Sequence, residues 1–548
     1  MDEGAVGTGA ARGNASGATT TVLLTLATAQ FLMTLDSSVM NVSIATVADD
    51  VGTTVTGIQT AITLYTLVMA SLMITGGKIG QILGRKRAFA IGCVVYAAGS
   101  SVTALAPNLT VLIIGWSFLE GMGAALIMPA IVALVASNFG RAERPRAYGL
   151  VAASGAIAVA AGPLIGGLLT TYASWRWVFA GEVLIVAGIL MLTGRMADSE
   201  PDREAHLDLV GTGLSALGLG LVVIGVLQGG AWGFVSPKPG APEWFGLSPV
   251  IWLVLLGGLV LRGFLSWERH RLRRGASALV DPAMLENPLL RGGLTSFFFQ
   301  YLLQAGLFFT IPLFLSVALG LSAVATGVRL LPLSVALLVT AVGVPKLRPD
   351  ASPRRVVRVG FACLFVGIVV LVAALDVGAG AEVTTLPMLL VGIGVGALAS
   401  QLGSVTVSAV PDEQSAEVGG LQNTVTNLGA SLGTALAGAV LISALTSSFF
   451  TGIESNPDIP NDLASQAQVE LASGVPFVPD DDLDKALADA GVSASAADAA
   501  VKENTEARLT GLRAALALLA LLSLLALYLS SGIPTRQPGS SSRPDPPP

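Results

Sequence analysis

Three carboxylic acids lie within long apolar stretches of this 548-residue sequence, where charge is costly. Asp36 lies in the first apolar run, Glu120 in the fourth, and Glu182 near the start of the sixth. Burial disfavours the charged form of a carboxylate, so such a group can take up and release protons as its access to water changes. The sequence therefore predicts a proton-coupling site at these three acids. The alternative is that hydrogen-bonded acids only fix the packing of neighbouring helices.

Neutral polar side chains in the apolar runs are candidates for lining a substrate path. Asn41 shares the first run with Asp36, and the second half of the chain carries amides rather than acids, namely Gln300, Gln304, Gln401 and Asn423. Candidates for adaptable or aromatic walls of the path are Met33, Phe297, Phe298 and Phe299. Ordinary packing or lipid contact is the alternative for these four.

Long membrane-spanning helices must position these residues. The chain is 53% hydrophobic and only 12% charged, with a mean hydropathy of +0.74, which indicates a polytopic membrane protein and excludes a soluble globule. Crossing about 30 Å of hydrocarbon takes about 20 helical residues, and each span must be helical because lipid offers no partner for backbone polar groups. Apolar runs of this length begin near Val22, Gly57, Ala88, Leu109, Ala147, Val178, Leu207, Pro249, Leu294, Val324, Val356, Leu386, Val418 and Arg513.

The short basic loops predict the orientation of the chain. Four clusters of arginine and lysine fall on the side of the N-terminus, and the loops between them are nearly free of basic residues. The positive-inside rule then predicts that both termini are cytoplasmic. The clusters are Lys78/Arg85/Lys86/Arg87, Arg141/Arg144/Arg146, Arg269/Arg271/Arg273/Arg274 and Lys346/Arg348/Arg354/Arg355/Arg358.

The first basic loop, residues 77–87, is punctuated by glycines, and we call it the gating loop. It resembles the signature G-x-L-A-D-R-x-G-R-K that the major facilitator superfamily carries between its second and third helices. Gln81 stands where an aspartate is usual, and the matching residues are Gly77, Gly84, Arg85 and Lys86. In the family this aspartate is expected to pair with basic groups and to hold the cytoplasmic gate shut. The resemblance therefore implies a weaker or differently built latch here.

Two further motifs resemble those of the fourteen-helix drug:proton antiporters, a subgroup of that superfamily. Residues 35–42, L-D-S-S-V-M-N-V, are similar to the first-helix signature L-D-x-T-V-x-N-V. The fifth run resembles the antiporter signature of a bendable helix with a small-residue face. Its matching residues are Gly155, Gly162, Pro163, Gly166 and Gly167. Residues 429–438 repeat this small-residue texture in the thirteenth run, as a duplicated architecture should.

The fourth run departs from the family pattern R-x-x-Q-G-x-G-A-A. Ser117 replaces the arginine associated with proton coupling, and Glu120 takes the glutamine position. The role of the arginine therefore does not transfer to this chain. We expect Glu120 to titrate together with Asp36, and a deprotonated site to favour cationic or hydrogen-bonding substrates.

The resemblance implies an all-α major facilitator fold of about fourteen transmembrane helices in a 6+2+6 arrangement. The expected parts are two six-helix bundles (20–197 and 290–531), two linker helices (205–270), and disordered cytoplasmic tails (1–19 and 532–548). Residues 448–508 form an acidic extracytoplasmic loop, which has enough helix-forming residues for short surface helices. This loop is interpreted as a solvated insertion, with a cap or a partner-docking element as the alternative.

These features predict a proton-coupled exporter of amphipathic drugs or antibiotics, working by alternating access in a bacterial cytoplasmic membrane. Export of a native metabolite or lipid, and a non-transporting sensor or scaffold, are the alternatives. No enzymatic nucleophile-base pair, cofactor loop or basic nucleic-acid patch occurs. Cys93 and Cys363 are too far apart in sequence, and His206 and His270 too isolated, to indicate a disulfide or a metal site.

Overall fold

The computed structural model is all-helical over the residues it describes, which are 8–139, 144–198, 206–238, 240–348, 350–410, 415–460, 475 and 477–536. Thirteen helices in this part of the chain are long and apolar enough to cross a membrane. One further helix, bent by 43° between Ala153–Val159 and Ala161–Tyr172, makes a fourteenth span. The predicted fold class and span number are thus confirmed.

The spans are numbered α1 to α14 along the chain. In the first half they are α1 (Thr8–Asp50), α2 (Val55–Leu83), α3 (Arg85–Ala104), α4, the bent α5 (Arg144–Tyr172) and α6 (Arg176–Thr193). Helix α4 joins a first turn (Leu109–Leu112), a π-helical segment (Ile113–Glu120) and an α-helical part (Gly121–Asn138). The linker helices are α7 (Leu209–Leu227) and α8 (Pro249–Arg273).

In the second half, α9 (Pro288–Leu313) continues into a π-helical segment (Phe314–Ala318). It is followed by α10 (Ala323–Leu347), α11 (Pro353–Ala374), α12 (Thr385–Val407), α13 (Ser415–Ser455) and α14 (Ala494–Leu529). Helix α1 begins inside the segment expected to be a tail, and α14 begins well before the expected start near Arg513. At α14, alanine-rich sequence continues the helix ahead of the apolar run.

Each half builds a bundle in which its first helix packs on its fifth, α1 on α5 and α9 on α13. Small residues allow both contacts. A Cβ added to Gly166 would lie 3.0 Å from the Cα of Val39, and one added to Gly433 would lie 2.1 Å from the carbonyl oxygen of Leu302. The repeated glycine texture of α5 and α13 therefore has the same structural use in both halves, as expected for a duplicated fold.

The bundles meet along two seams, α2 against α13 and α5 against α10. In the first seam, the Gln59 side chain donates to the carbonyl of Thr434 at 3.2 Å. In the second, the amide of Val324 donates to the hydroxyl of Thr171 at 3.1 Å. Helices α2 and α10 begin near these residues, and α5 ends near them. Both contacts therefore join the bundles at the end of the molecule where α13 leads into the acidic loop.

The linker helices α7 and α8 pack on each other, and α7 also packs on α2 and α13. Thr75 of α2 and Thr212 of α7 share a hydrogen bond between their hydroxyl groups at 3.1 Å. Apolar contacts of Leu67, Leu219 and Val223 continue this packing. The linker therefore packs over the α2–α13 seam and is not a loose connection between two independent bundles.

The described parts of the acidic loop fold back onto the helices. Arg508 is only 1% exposed, pairs with Asp480 and donates to the carbonyl of Val478 at 2.8 Å. Phe477 is buried, and the amide of Val475 donates to Thr446 at 3.0 Å. The predicted short surface helix is present as Asp480–Asp489, with no buried residue. These contacts favour the cap over the solvated insertion for the residues described.

Candidate functional site

Asp36, Glu120 and Glu182 come together inside the N-terminal bundle, and we call them the acid triad. Asp36 lies on α1, Glu120 ends the π-helical segment of α4, and Glu182 lies on α6. One carboxylate oxygen of each lies within 4.8 Å of the others, and all three side chains are at most 1% exposed. The sequence alone could not show that the three acids meet, because the position of a residue along a helix does not give the tilt of that helix against another.

Hydrogen-bond donors on α3 and α4 hold the triad. The Trp116 indole N–H lies 3.0 and 3.1 Å from the two carboxylate oxygens of Asp36. The Thr103 hydroxyl donates to Glu120 at 3.0 Å. Glu182 accepts from Tyr96 at 3.2 Å and from Ser100 at 3.1 Å. Each acid is thus fixed by neutral donors from neighbouring helices.

Two carboxylate oxygens of the triad remain without a hydrogen-bond partner, Oε2 of Glu120 and Oε1 of Glu182. Among the described residues, no lysine, arginine or histidine pairs with any of the three acids. A buried charge without a counter-charge is unfavourable by several kcal/mol or more. The site therefore needs protons or a bound cation to neutralise it, and its three carboxylates are suitable ligands for either.

Local backbone features position Glu120. It closes a π-helical segment, a feature that is frequent at functional sites. Gly99 of α3 lets the two helices approach, since a Cβ there would lie 2.6 Å from Cγ of Glu120. In the same helix, Trp116 stacks on Tyr65 of α2 with ring centroids 4.9 Å apart and planes 9° apart. Helix α4 therefore packs Glu120 against α3 and holds Trp116, which binds Asp36, against α2.

Ser117, at the position of the family arginine, is fully buried and donates to the carbonyl of Ala61 on α2 at 2.8 Å. It joins α4 to α2 and brings no positive charge. The helix that carries Glu120 therefore supplies no positive charge to the triad from this position.

The opposite face of α1 borders a small cavity between the bundles. Ser38 and Asn41 line it, and the remaining lining residues are Val42, Pro163, Phe308, Pro312, Leu330, Leu333 and Ser334. The Asn41 side chain donates to the carbonyl of Ser37 at 2.7 Å, and the hydroxyls of Ser38 and Ser334 have no partner among the described residues. Helix α1 thus carries an acid toward the bundle interior and polar groups toward the partner bundle.

The other candidates for the substrate path are less closely grouped. Gln300 is buried with its side-chain oxygen unpartnered, and Gln304 is half-buried. Both lie on the helical face of α9 that also carries Phe308, because the three are spaced by four residues. Gln401 is buried beside Ser400, and Asn423 is half-buried on α13. Neither lines the cavity between the bundles.

The proposed aromatic walls are packing residues for the most part. Met33, Phe297 and Phe299 are buried in the main hydrophobic core, and Phe298 packs partly buried against it. These contacts agree with the packing alternative for the four residues.

The predicted antiporter residues pack α5 against both bundles. A Cβ on Gly162 would lie 2.2 Å from the hydroxyl oxygen of Ser38, and one on Gly167 would lie 2.5 Å from the carbonyl of Ala323. Pro163 faces α10 through its carbonyl, which a Cβ on Gly327 would approach to 2.2 Å. Gly155 has ordinary contacts with Gln30 and Thr34.

The gating loop is held by the segment that follows α6. Gly84 has a φ of 94°, which favours glycine, and a Cβ there would meet the Asp198 carboxylate at 3.0 Å. Asp198 accepts from the backbone N–H of Lys86 at 3.0 Å, and the Lys86 ammonium donates to the carbonyl of Met196 at 3.1 Å. Arg85 donates to the carbonyl of Ala133 at 3.2 Å. Gln81 and Gly77 line a cavity beside these contacts.

Sequence reasoning did not identify the neutral donors of the triad. Trp116, Tyr96, Ser100 and Thr103 are ordinary residues of apolar runs, and only their neighbours in space give them a role. A weak signal was present, since Trp116 directly precedes Ser117 in the segment where the family pattern is broken.

Comparison with known proteins places the chain. The family model of the Major Facilitator Superfamily matches residues 26–434. The probable actinorhodin transporter of Streptomyces coelicolor is 28% identical over 81% of this chain and 75% of its own length. The puromycin resistance protein pur8 of Streptomyces alboniger is 29% identical over 77% of this chain and 82% of its own. A bacterial homologue of the human lysosomal transporter Spinster shares the fold, with a TM-score of 0.57 and 14% identity over 93% and 97% of the two chains.

Proposed function

The chain belongs to the Major Facilitator Superfamily, and we propose that it exports amphipathic drugs or antibiotics from a bacterial cytoplasm in exchange for protons, by alternating access. Similarity to proteins named for actinorhodin transport and puromycin resistance supports the substrate class. One observation carries the coupling mechanism: the acid triad and the cavity between the bundles share helix α1. The protein is a transporter rather than an enzyme.

The coupling follows from the charge of the triad. Protonation neutralises the buried acids and removes the cost of enclosing them, so the protonated site tolerates a closed, water-free bundle. Deprotonation requires water or a cation beside the carboxylates, which favours an opening of the bundle. Because Asp36 and Ser38 lie on the same helix, this change moves a wall of the cavity that a substrate would occupy.

The site also favours a class of substrate. Three acids without a basic partner attract positive charge, and nearby hydroxyl and indole groups add donors. A cationic amphipath and protons would neutralise the same carboxylates, so each would favour release of the other. We therefore propose cationic or hydrogen-bonding drugs as the preferred substrates.

The basic loops support an orientation in which both termini lie on the cytoplasmic side of the inner membrane and the acidic loop lies outside. In that orientation, the contacts of Gln59 and Thr171 close the outer end of the path. An extracytoplasmic partner at the acidic loop remains a secondary proposal, and the acidic helix Asp480–Asp489 is the surface available for it.

Expression in an efflux-deficient bacterium tests the function. Accumulation of ethidium or puromycin should fall on expression, and an uncoupler should restore it. Glu120→Gln should lose the effect, whereas Glu243→Gln, a matched change at an exposed loop residue, should keep it. Export that survives the uncoupler, or that is unaltered by Glu120→Gln, would refute the proposed coupling. Export of neither compound, with a lipid or metabolite exported instead, would favour the alternative transporter role.

A further inference from the structure

A cavity with an unbalanced positive charge lies beside the gating loop. It spans about 660 Å³, a volume that includes open solvent at its mouth. Its charged lining residues are Lys78 and Arg85, and no acidic residue is among the described residues that line it. The remaining lining residues are Ile74, Gly76, Gly77, Gly80, Gln81, Pro129, Ala130, Ala133, Ala278, Leu279 and Gly420. Two cations therefore face a partly enclosed space, and its described walls supply no counter-charge.

The two basic groups are differently fixed. The Arg85 guanidinium is oriented by its bond to the Ala133 carbonyl on α4. Lys78 is half-buried, and within the described part of the chain its ammonium has no hydrogen bond or ion pair. Asp198 contacts the gating loop at Gly84 and Lys86 but does not line the cavity. The Asp198 carboxylate thus binds the start of α3 and is not among the residues that line the cavity.

The cavity is bounded by both bundles and by the segment that follows the linker helix α8. Its walls come from α2 and α4 of one bundle, from Gly420 of the other bundle, and from the strap at Ala278 and Leu279 that follows the linker helix α8. Glu268 of α8 holds this strap by accepting from the amide of Leu279 at 2.7 Å. A ligand in the cavity would therefore touch both bundles and the linker, and would stabilise the state in which they close around it.

We infer that this cavity binds a phosphate-type oxyanion, which supplies between the bundles the negative charge that Gln81 does not provide. Arginine and lysine on one wall, with glycine backbone beside them, suit a phosphate group well. The source is either the headgroup of an anionic lipid, as basic pockets between helices accept, or free phosphate on the basic-loop side. The inference rests on the gating loop and does not depend on which compound the protein exports.

Thiol labelling at the cavity tests this inference. Gly420→Cys, in a background of Cys93→Ser and Cys363→Ser, places a reporter where a Cβ meets nothing within 4 Å. The full chain is studied in phosphatidylcholine vesicles, with a neutral maleimide, in three conditions: no addition, phosphatidylglycerol in the bilayer, or inorganic phosphate in the buffer. We expect one of the two anions to slow labelling about tenfold, a coupling of ordinary size. Protection by the lipid alone or by phosphate alone identifies the source.

Charge variants test whether the basic residues of the cavity cause the protection from labelling. Lys78→Gln and Arg85→Gln should abolish the protection, whereas Arg87→Gln, on the same loop but exposed and outside the cavity, should retain it. Gln81→Asp should label slowly without any anion and gain nothing from adding one, because its own carboxylate takes the place of the ligand. Thermal melting of each variant confirms that it is folded. The inference is overturned if neither anion slows labelling, if Lys78→Gln keeps the protection, or if Gln81→Asp still requires the anion.

Discussion

At the residue scale, the acid triad lacks the arginine that the family carries in its fourth helix. Ser117 occupies that position and bonds to the Ala61 backbone, while Trp116 beside it donates to Asp36. Neutral donors therefore replace a positive charge as the stabilising partners of the acids. Such donors orient a carboxylate without neutralising it, which leaves neutralisation to protons or to the substrate.

The Trp116→Phe substitution should weaken transport more than folding. Phenylalanine keeps a ring to stack on Tyr65 but removes the N–H that binds Asp36. Loss of a hydrogen bond to a buried acid costs about 1–3 kcal/mol in the state that uses it, so uphill export should fall severalfold. Drug accumulation in cells and thermal melting in detergent measure the two effects. Trp177→Phe, an exposed change on α6, is the control. Unchanged export would show that the indole N–H is not needed.

At the element scale, α1 carries both Asp36 of the triad and Ser38 of the cavity lining, and α5 packs against it. Their contact depends on Gly162, above which Ser38 leaves no room for a side chain. The small-residue face of α5 therefore sets the distance between α1 and α5. Helix α5 also packs on α10 of the other bundle, so this face does more than pack one bundle.

Gly162→Ala should lower both stability and transport, and Ser38→Gly should restore them. The added methyl group would lie 2.2 Å from the Ser38 hydroxyl and 2.4 Å from its Cβ. Overpacking of this kind costs about 1–3 kcal/mol. Thermal melting and export are measured for each single variant and for the double variant. Gly188→Ala, where a Cβ meets nothing within 4 Å, should be silent. Failure of Ser38→Gly to compensate would mean that the α1–α5 contact is not the cause.

The acidic loop is a second element whose contacts can be tested. Asp480→Ala leaves the buried Arg508 without its carboxylate, although two carbonyl groups remain nearby. Because a buried charged donor is left under-satisfied, stability should fall by about 1–3 kcal/mol. Asp480→Ala combined with Arg508→Met should recover part of this loss, since the buried charge is gone. Asp481→Ala, exposed and adjacent, should have no effect. A double variant less stable than Asp480→Ala alone would contradict the cap.

At the scale of the whole molecule, alternating access requires the two seams to open at the acidic-loop end. Cysteines at Thr171 and Val324, in a background without Cys93 and Cys363, place thiols on residues that are now joined by a hydrogen bond. Oxidation or a short bis-thiol reagent should cross-link the bundles and stop export, and reduction should restore it. A cross-linked protein that still exports would show that this end does not need to open.

Much of this architecture could be predicted from the sequence, because apolar length alone specifies membrane helices. The basic loop and the first-helix motif then indicated the family. Partners in space were harder to predict. The sequence placed Glu182 along α6 but could not show that α6 brings it to Asp36, and it gave Trp116 no special status. The packing of Arg508 was hidden for the same reason, since a loop rich in aspartate is ordinarily solvated.

The most direct test of the account is proton flux driven by substrate. The protein is reconstituted in vesicles with a pH-sensitive dye inside, and ethidium or puromycin is added on one side. The natural sequence should release protons on addition of a substrate. Glu120→Gln combined with Glu182→Gln should lose this flux by at least about tenfold, or about 1.4 kcal/mol of coupling, while still binding the compound, and Glu243→Gln should behave like the natural sequence. Undiminished substrate-driven proton flux in the double variant would contradict the assignment of proton coupling to the acid triad.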